Sequence, residues 1–469
     1  MVIDDAAMNA LRAQFSGELF RPGDDGYDSA REIFNVMHDK HPALIARCAR
    51  TGDVVAAVDF ARRNGLLVAV RSGGHSVAGN STCDGGIVID LRGLNKVSVD
   101  PAAKTARAGG GVNWGEFDAA TQEHALHTPG GRVTTTGVGG FTTGGGYGWT
   151  SSKYGLTCDN LISAEVVLAD GSVVTASEQQ NSDLFWGIRG GGGNFGIVTE
   201  FELRLHELGP IVMAGLAMWP LARGREVMRA WRDIADAAPD ELSTAAVFIT
   251  APPEEFVPDH LKGQTVLGVA AMYVGDASTG ERAVRPLKDL APDVDLIQPM
   301  PYTAFQAIVD ATAPPGMRSY WRGEYMDDLT DDAIAVFADR APELIAAGFP
   351  LSQTLFFRLG QGVKAVPDHA TAFSHRDAEY MFHPICVWSD PADDERMISA
   401  SRSLCDAMRP FTTGAAYLNF TAEDRVREAF GAEKYARLVA LKDRYDPENL
   451  FRLNQNIVPS QQVGEPALA

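Results

Sequence analysis

The chain has 469 residues, of which 45% are hydrophobic and 22% are charged, and its formal net charge is −20. This length and composition are typical of a globular protein with two domains. The negative charge argues against nucleic acid or an anionic membrane as a partner, because both bind basic patches. No stretch approaches 18 consecutive apolar residues, so the sequence predicts no membrane span.

Cysteine usage and the first residues bear on the cellular compartment. The five cysteines are scattered, and no pair has zinc spacing: Cys48, Cys83, Cys158, Cys386 and Cys405. We therefore expect free thiols in a reducing compartment. Residues 1–5 have neither the basic nor the apolar region of a signal peptide, so we expect a cytoplasmic protein. His369 and His375 lie six residues apart without a third ligand at fitting spacing, so we expect no metal site.

A short glycine loop between two strands is the first functional candidate. Apolar positions at helical spacing predict helices over residues 42–50 and 53–64, the second of which ends at Gly65. An apolar strand over 66–70 follows, then the loop Arg71-Ser72-Gly73-Gly74-His75-Ser76, and then a strand over 86–91. The two glycines allow several amide N–H groups to point into one concavity, which suits an anion such as a pyrophosphate.

A second, longer glycine loop covers residues 129–148. It follows a helix that is predicted to begin near Asn113. Phe141, Tyr147 and Trp149 interrupt or follow the glycines, which argues against low-complexity filler and favours close approach of main chain to a large flat ligand. Beyond it, Asp170-Gly171 between two apolar runs predicts a hairpin, and Asn181 or Ser182 can cap a short helix.

Residues 191–196 match G-x-G-x-x-G, but we exclude the Rossmann interpretation. That motif must open a helix, with an acidic residue about 20 positions later. Here the following residues alternate from Phe201 onward, as in a strand, and position 216 is Leu. We expect these glycines to form another backbone approach to the same ligand.

Near Leu208 glycine becomes less frequent, and strand-like apolar runs separated by helical patterns begin. Strands are predicted over 211–218, 244–250, 265–274, 351–359 and 379–388, and helices over 222–238 and 330–347. This pattern indicates an antiparallel sheet covered by helices. A strongly amphipathic helix is predicted over 424–444, followed by a tail whose apolar and amide side chains indicate packing.

The motifs, taken in order, resemble a known family. They are RSGGHS, PGGRVTTTGVGGFTTGGGYG, KYGLTCDN, GGGGNFGIVTEF and YDPENLFRLNQNI. Each is weak alone, but the five in this order resemble the berberine-bridge-enzyme-like branch of the FAD-linked oxidases with the vanillyl-alcohol-oxidase fold. The resemblance implies a two-domain α+β fold. Residues 1–205 form the first part of the FAD-binding domain, 206–420 form the substrate domain with its antiparallel sheet and covering helices, and 421–469 return to the FAD domain.

The resemblance also implies how FAD is held. In the family the histidine of the RSGGHS loop bonds covalently to the flavin 8α-methyl group, and here that residue is His75. The other residues that the resemblance assigns to the cofactor are Arg71, Ser72, Gly73, Gly74, Ser76, Gly79, Gly137, Gly139, Gly140, Thr142, Gly145, Gly148, Asn160, Gly193, Asn194, Gly196, Ile197, Val198, Asn454 and Asn456. Members with a second covalent link carry a cysteine four residues before Gly137. This chain has Val133 there, so we expect a single link, and we interpret Cys158 as a buried small apolar side chain.

The family transfers a hydride from a substrate C–H bond to flavin N5 and passes the electrons to O2, which yields hydrogen peroxide. The segment Gly414–Asn419 resembles its Tyr-x-Asn strand, so Tyr417 is the expected base for the hydroxyl or amine of a small organic substrate. A free phenol titrates near pH 10, so this role needs a shifted pKa. Tyr380 is the second catalytic candidate.

Gln353, Phe356 and Arg358 are on strands that we also expect to line the cavity. Alternation places Gln353 with residues 355 and 357, and Phe356 with residues 354 and 358, but leaves open which set faces inward.

Three alternatives remain beside an oxidase. A hydrolase would use the segment 74–78, which lacks the final glycine of G-x-S-x-G. A dehydrogenase of the same fold would use an acceptor other than O2. A non-catalytic flavoprotein would lack a base in its cavity. The sequence leaves the substrate and the oligomeric state open.

Overall fold

The computed structural model describes residues 3–347 and 350–462 of the chain. Its first sheet has four strands: β1 (Glu18–Phe20), β2 (Leu44–Arg47), β3 (Val68–Arg71) and β4 (Ile87–Asp90), of which β3 and β4 flank the RSGGHS loop. They lie in the order β1-β2-β4-β3, in which β2, β4 and β3 are parallel and β1 is antiparallel to β2. Three helices pack against this sheet: α1 (Asp5–Arg12), α2 (Tyr27–Arg31) and α3 (Thr51–Arg63).

One of the two helices predicted before the RSGGHS loop is wrong. The helix predicted over 53–64 is confirmed as α3, but the segment 42–50 contains strand β2. Leu44, Ile45 and Ala46 are all fully buried, because β2 lies between β1 and β4. A short run that is apolar on both sides has no alternation, so its sequence does not distinguish a buried strand from a helix.

The next segment forms a five-stranded antiparallel sheet and a separate two-stranded pair. Its strands are β5 (Val97–Asp100), β6 (Thr105–Gly109), β7 (Leu126–His127), β8 (Leu161–Val167), β9 (Val173–Ser177), β10 (Ile197–Arg204) and β11 (His206–Glu207). The sheet has the order β5-β6-β10-β8-β9, and β7 pairs with β11. Strand β10 follows Gly196 directly, which confirms the strand predicted after the G-x-G-x-x-G segment. The hairpin predicted at Asp170-Gly171 joins β8 to β9.

Short helices connect these strands: α4 (Trp114–Gln122), α5 (Val138–Thr143), α6 (Ser151–Tyr154) and α7 (Ser182–Ile188). The start predicted for α4 is confirmed. The Asn113 side chain accepts from the Glu116 amide while the Glu116 carboxylate accepts from the Asn113 amide. Both amides at the helix start are thereby satisfied, which anchors the chain just before the second glycine loop.

A nine-stranded antiparallel sheet dominates the middle of the chain. Its strands are β12 (Ile211–Pro220), β13 (Leu242–Thr250), β14 (Thr265–Tyr273), β15 (Val294–Asp295), β16 (Gln298–Pro301), β17 (Arg318–Trp321), β18 (Glu324–Met326), β19 (Gln353–Arg358) and β20 (Tyr380–Trp388). The main path is β15-β12-β14-β13-β19-β20-β17, with β16 on β12 and β18 on β20. All five strands predicted in this part of the chain are confirmed.

Helices cover one face of this sheet. The helices of this part are α8 (Gly224–Ala237), α9 (Ala277–Lys288), α10 (Tyr302–Gln306), α11 (Asp331–Ala347), α12 (Gln361–Lys364) and α13 (Asp394–Met408). Apolar side chains of α8, α9, α11 and α13 form one cluster with one face of the strands. The opposite face packs with residues of the second glycine loop and borders a cavity. The sheet therefore separates a helix-covered core from the candidate site.

The last helix, α14 (Val426–Tyr445), packs against the first part of the chain. It is bent at Gly431, whose φ of 68° and ψ of 173° are not helical. In the described residues, no helix is both long and apolar enough to cross a membrane. The domain bounds at residues 205 and 420 stay predictions.

A buried ion pair ties α14 to the tail that follows it. Lys442 and Asp446 are both fully buried, with Nζ 2.7 Å from Oδ2. Lys442 Nζ also donates to the carbonyl of Asn194 at 2.9 Å and to that of Phe451 at 3.0 Å. Asp446 accepts from the amides of Leu450 and Phe451. The pair therefore joins helix α14, the tail at Leu450 and Phe451, and the glycine-rich segment 191–196.

We expect Lys442→Met to lower the free energy of unfolding by about 3–5 kcal/mol, because it leaves the Asp446 carboxylate buried without its cation. Chemical denaturation followed by tryptophan fluorescence measures this loss. Arg444→Met is the matched control on the same helix. It removes a surface pair with Asp183 and should cost at most about 1 kcal/mol. Equal losses in the two variants would contradict this account of the tail.

Candidate functional site

A cavity of about 1090 Å³ lies between the glycine loops and the uncovered face of the large sheet. Four parts of the chain form its wall: residues from the first 201 positions, strands and loops of the region with the large sheet, residues 418–421, and residues 451–455 of the tail. This volume slightly exceeds the usual range of about 300–1,000 Å³ for small-molecule sites. Chain segments that are far apart in sequence thus enclose one space.

The two glycine loops touch each other at the floor of this cavity. A Cβ on Gly73 would lie 2.3 Å from the amide nitrogen of Gly137, and a Cβ on Gly137 would lie 2.2 Å from that of Gly73. No side chain fits between backbones at these distances. The Gly139 amide also donates to Ser72 Oγ at 3.3 Å. Glycine at 73 and 137 therefore allows the RSGGHS loop to dock on the start of α5.

His75 lies in the cavity wall at this junction. Its ring stacks on Phe34, with centroids 4.2 Å apart and planes at 17°. Nε2 lies 2.8 Å from Thr135 Oγ1, and Nδ1 lies 3.4 Å from Thr136 Oγ1. Burial lowers the pKa of His75 to about 4, so the imidazole is neutral near pH 7. A neutral, oriented imidazole is the form that can act as a nucleophile.

The residues present fit FAD. Gly140 and Gly193 line the cavity, and a Cβ built on either would meet no atom within 4 Å, so the main chain there borders open space. Asn454, which lines the cavity, has a buried Oδ1 without a hydrogen-bond partner among the described residues. Buried acceptors of this kind need a donor, and an isoalloxazine N–H is one.

The predicted cofactor residues divide into two groups. Those that line the cavity are Ser72, Gly73, Gly74, His75, Ser76, Gly137, Gly139, Gly140, Gly193, Gly196, Ile197, Val198 and Asn454. Those outside its lining are Arg71, Gly79, Thr142, Gly145, Gly148, Asn160, Asn194 and Asn456. The second group shapes the loops instead of facing the space.

Two asparagines illustrate how this second group acts. Asn194 Nδ2 donates to the carbonyls of Gly191 and Gln455, and its Oδ1 accepts from the amide of Ile457 at 2.9 Å. Asn160 Nδ2 donates to two carbonyls of its own loop, and its Oδ1 lies 2.7 Å from His206 Nε2. The amide groups of both side chains hydrogen-bond to other protein groups, so these residues stabilise the loops that form the cavity wall.

The position of a second covalent link is occupied by an apolar side chain. Val133 lines the cavity. Cys158 is fully buried in the cluster beneath the sheet, away from the lining, and burial raises the pKa of its thiol. A thiol with a raised pKa is a poor nucleophile.

Tyr417 is buried, and its hydroxyl is engaged by protein. The hydroxyl oxygen accepts from the Gly146 amide at 2.9 Å and from Asn419 Nδ2 at 3.1 Å. Burial raises the pKa of this phenol. The ring lies outside the cavity lining, whereas Leu418, Asn419 and Phe420 lie within it. The predicted strand is also corrected, since this segment has a single β-bridge at Ala416 and then a 3-10 turn.

Tyr380 faces away from the cavity, which corrects the expectation that it lines it. Alternation along β20 turns its side chain toward the helices, and its hydroxyl donates to Asp236 of α8. Burial raises its pKa. The same alternation in β19 settles the face that the sequence left open. Gln353 lines the cavity and Phe356 belongs to the helix-covered core.

His383, which the sequence analysis did not select, lies on the cavity face of β20. Its Nδ1 donates to the carbonyl of Arg322 at 2.7 Å, so Nε2 is the unprotonated nitrogen of the ring. The ring stacks on Phe420 with centroids 4.2 Å apart. Burial lowers the pKa of His383 to about 3. In the sequence, His383 alternates with Ile385 and Val387, which places the three side chains on one face of β20. Only the structure shows that this face borders the cavity.

Arg132 is a second site residue that no sequence motif marks. It lines the cavity between Gly131 and Val133. Its guanidinium carbon lies 4.2 Å from the ring centroid of Trp149 and 4.6 Å from that of Phe357. In the sequence it is one arginine within a glycine loop, and nothing there indicates that it is enclosed.

Comparisons with known proteins agree with this site. A family model described as an FAD binding domain matches residues 42–177, and one described as berberine and berberine like matches 416–458. The chain is 34% identical to (R)-6-hydroxynicotine oxidase of Paenarthrobacter nicotinovorans, over 96% of this chain and 98% of the relative. It is 30% identical to an FAD-linked oxidoreductase of Dictyostelium discoideum, over 97% of each chain.

Among solved structures, 6-hydroxy-D-nicotine oxidase from Arthrobacter nicotinovorans superimposes with a TM-score of 0.81 at 31% identity. That match covers 94% of this chain and 98% of the other. The likeness thus extends over the glycine loops, the large sheet and the tail alike. The chain therefore belongs to the berberine-bridge-enzyme-like family of FAD-linked oxidases, and it is an FAD-dependent oxidoreductase that acts on a small organic substrate.

Proposed function

We propose that the protein holds FAD covalently through His75 alone and oxidises a C–H bond next to a hydroxyl or amine, with O2 as the electron acceptor. The observation that carries this proposal is one continuous cavity. Its lining includes His75 and the glycine loops together with His383, whose Nε2 is unprotonated. Bound FAD supplies the hydride acceptor, and the chain's own residues orient the substrate and receive its proton.

We further propose that His383 receives the hydroxyl or amine proton of the substrate. Its Nδ1–H is held by the Arg322 carbonyl, so the ring cannot offer the other tautomer without losing that bond. Burial lowers its pKa to about 3, which leaves Nε2 unprotonated across the physiological range but also makes it a weak base. Tyr417 is the competing candidate. The two donors to its oxygen favour a phenolate, but burial outweighs them and raises its pKa, and its ring lies outside the cavity lining.

The substrate side of the cavity favours an apolar body. Leu216, Val247, Leu355 and Ile385 line it from neighbouring strands of the large sheet. Gln353 adds an amide on the same face. A relative named for 6-hydroxynicotine supports a small ring compound for this chain as well.

His75→Ala tests the covalent link. We expect the variant to fold, because its side chain borders the cavity, but to release its flavin on acid precipitation, which leaves a colourless pellet. The parent pellet should be yellow, and mass spectrometry should find flavin on the peptide that contains His75. Cys158→Ser is the control and should keep the flavin. A yellow pellet from His75→Ala, or flavin on the peptide with Cys158, would refute the single link through His75.

His383→Phe and Tyr417→Phe form a matched pair, since each keeps a ring and removes the proton-accepting atom. With a substrate found by a peroxide-release screen, we expect His383→Phe to slow anaerobic flavin reduction by about 10²–10⁴-fold, the usual contribution of a general base. Tyr417→Phe should slow it by less than about tenfold. The loss should appear in kcat more than in KM.

The pH profile separates the two candidates independently. Because the pKa of His383 is about 3, His383 stays unprotonated above pH 5, and the parent reduction rate should be flat from pH 5 to 8. A base at Tyr417 would make the rate rise with pH over that range, since burial raises the pKa of this phenol. The reverse pattern of losses together with a rising profile would assign the role to Tyr417.

A further inference from the structure

Arg132 is a cation enclosed by aromatic rings. Its guanidinium carbon lies 4.2 Å from the ring centroid of Trp149, 4.6 Å from that of Phe357 and 5.2 Å from that of Tyr147. The rings are themselves fixed, because the Tyr147 hydroxyl donates to the Arg358 carbonyl and Trp149 packs on Phe305. The guanidinium is therefore held in one place at the substrate side of the cavity.

This cation has no counter-ion in the described part of the chain. Nε and Nη2 are buried and make no hydrogen bond to any described residue. Arg132 nevertheless lines the cavity, which leaves Nη1 as the nitrogen that a ligand can reach. A desolvated charge without a partner is unfavourable, and cation–π contacts offset only part of that. Burial lowers the pKa of Arg132 to about 10, so the group still carries its charge at pH 7.

The surroundings leave an anion as the missing partner. Of the described residues that line the cavity, Arg132 is the one with a permanent positive charge and Glu254 is the one acid. Glu254 lies in the exposed segment next to Phe256, which is 49% exposed. A chain of net charge −20 repels anions at long range. Retention of an anion in this cavity therefore needs a local cation.

We propose that Arg132 recognises an anionic group of the substrate, and that the substrate is an organic acid. Its apolar body lies on the sheet between Leu355 and Ile385, and its carboxylate meets Nη1 of Arg132 within the aromatic enclosure. This inference rests on the proposed oxidase function, because it names the substrate class of the same cavity. A cationic amine in that position would face Arg132 and be repelled.

Binding of small probes to the flavin-loaded protein tests this inference without turnover. Benzoate, benzamide and benzylamine share one ring and differ in charge, and changes in the flavin absorption spectrum or calorimetry report their Kd values. We expect benzoate to bind at least tenfold more tightly than benzamide, as a charge-assisted hydrogen bond implies, and benzylamine to bind most weakly. Equal Kd values for benzoate and benzamide would overturn the proposal, whatever any variant does.

Two variants identify the residue responsible. Arg132→Met should weaken benzoate at least tenfold and leave benzamide within about twofold, which erases the preference for the acid. Arg132→Gln removes the same charge with a polar side chain and should give the same result if the Met variant does not fold. Arg107→Met is the charge-matched control, because Arg107 pairs with Glu200 on the surface of β6, and it should keep the parent Kd values. An undiminished preference in the Arg132 variants would refute the assignment.

Turnover rates of acids and their esters test the same inference in a second way. Among oxidisable compounds supplied as a free acid and as its methyl ester, the acid should have a kcat/KM at least tenfold higher, and Arg132→Met should remove this difference. If benzoate binds through Arg132 but no compound reduces the flavin, the proposed oxidase function fails and the anion site stands. If compounds are oxidised but acid and ester react equally in parent and variant, the anion site fails and the oxidase function stands.

Discussion

The contact between the main chains at Gly73 and Gly137 is the constraint on which the candidate site depends. Backbone atoms approach so closely there that any side chain would separate the two loops. Their docking sets the position of His75, which stacks on Phe34 and reaches Thr135 and Thr136 of the second loop. It also directs the preceding residues, Arg132 and Val133, into the cavity. One backbone contact thereby sets the positions of both His75, on the cofactor side of the site, and Arg132, on the substrate side.

The ionisable groups around the cavity share one physical cause for their behaviour. Burial lowers the pKa of His75 to about 4 and that of His383 to about 3, so both imidazoles are neutral at pH 7. The same desolvation lowers the pKa of Arg132 to about 10, which leaves it charged. An enclosed apolar space disfavours every charged form, but only a group that titrates near neutrality changes its charge as a result. The cavity therefore combines two neutral imidazoles with one fixed cation.

The large sheet gives the site its chemical asymmetry. Alternation along β19 and β20 sends Phe356, Tyr380 and Phe382 into the helix-covered core. The intervening residues, among them Gln353 and His383, face the cavity. A shift of one residue in either strand would exchange these sets, so the packing of α8, α11 and α13 on one face also decides which chemistry the other face presents.

The order of the five motifs was sufficient to show the resemblance to the family, and that resemblance implied the FAD-binding role of the first part. Local apolar runs were sufficient to predict the position of every long strand between residues 211 and 388. Sequence could not show that 42–50 contains a buried strand, since a short apolar run has the same appearance in both structures. Nor could it show which face of β20 is inward, that the Tyr417 hydroxyl meets the Gly146 amide, or that Arg132 is enclosed by rings from residues 147, 149 and 357. Those contacts join residues that are distant in the chain, and burial, charge and hydrogen bonding at such positions are set only when the tertiary structure brings them together.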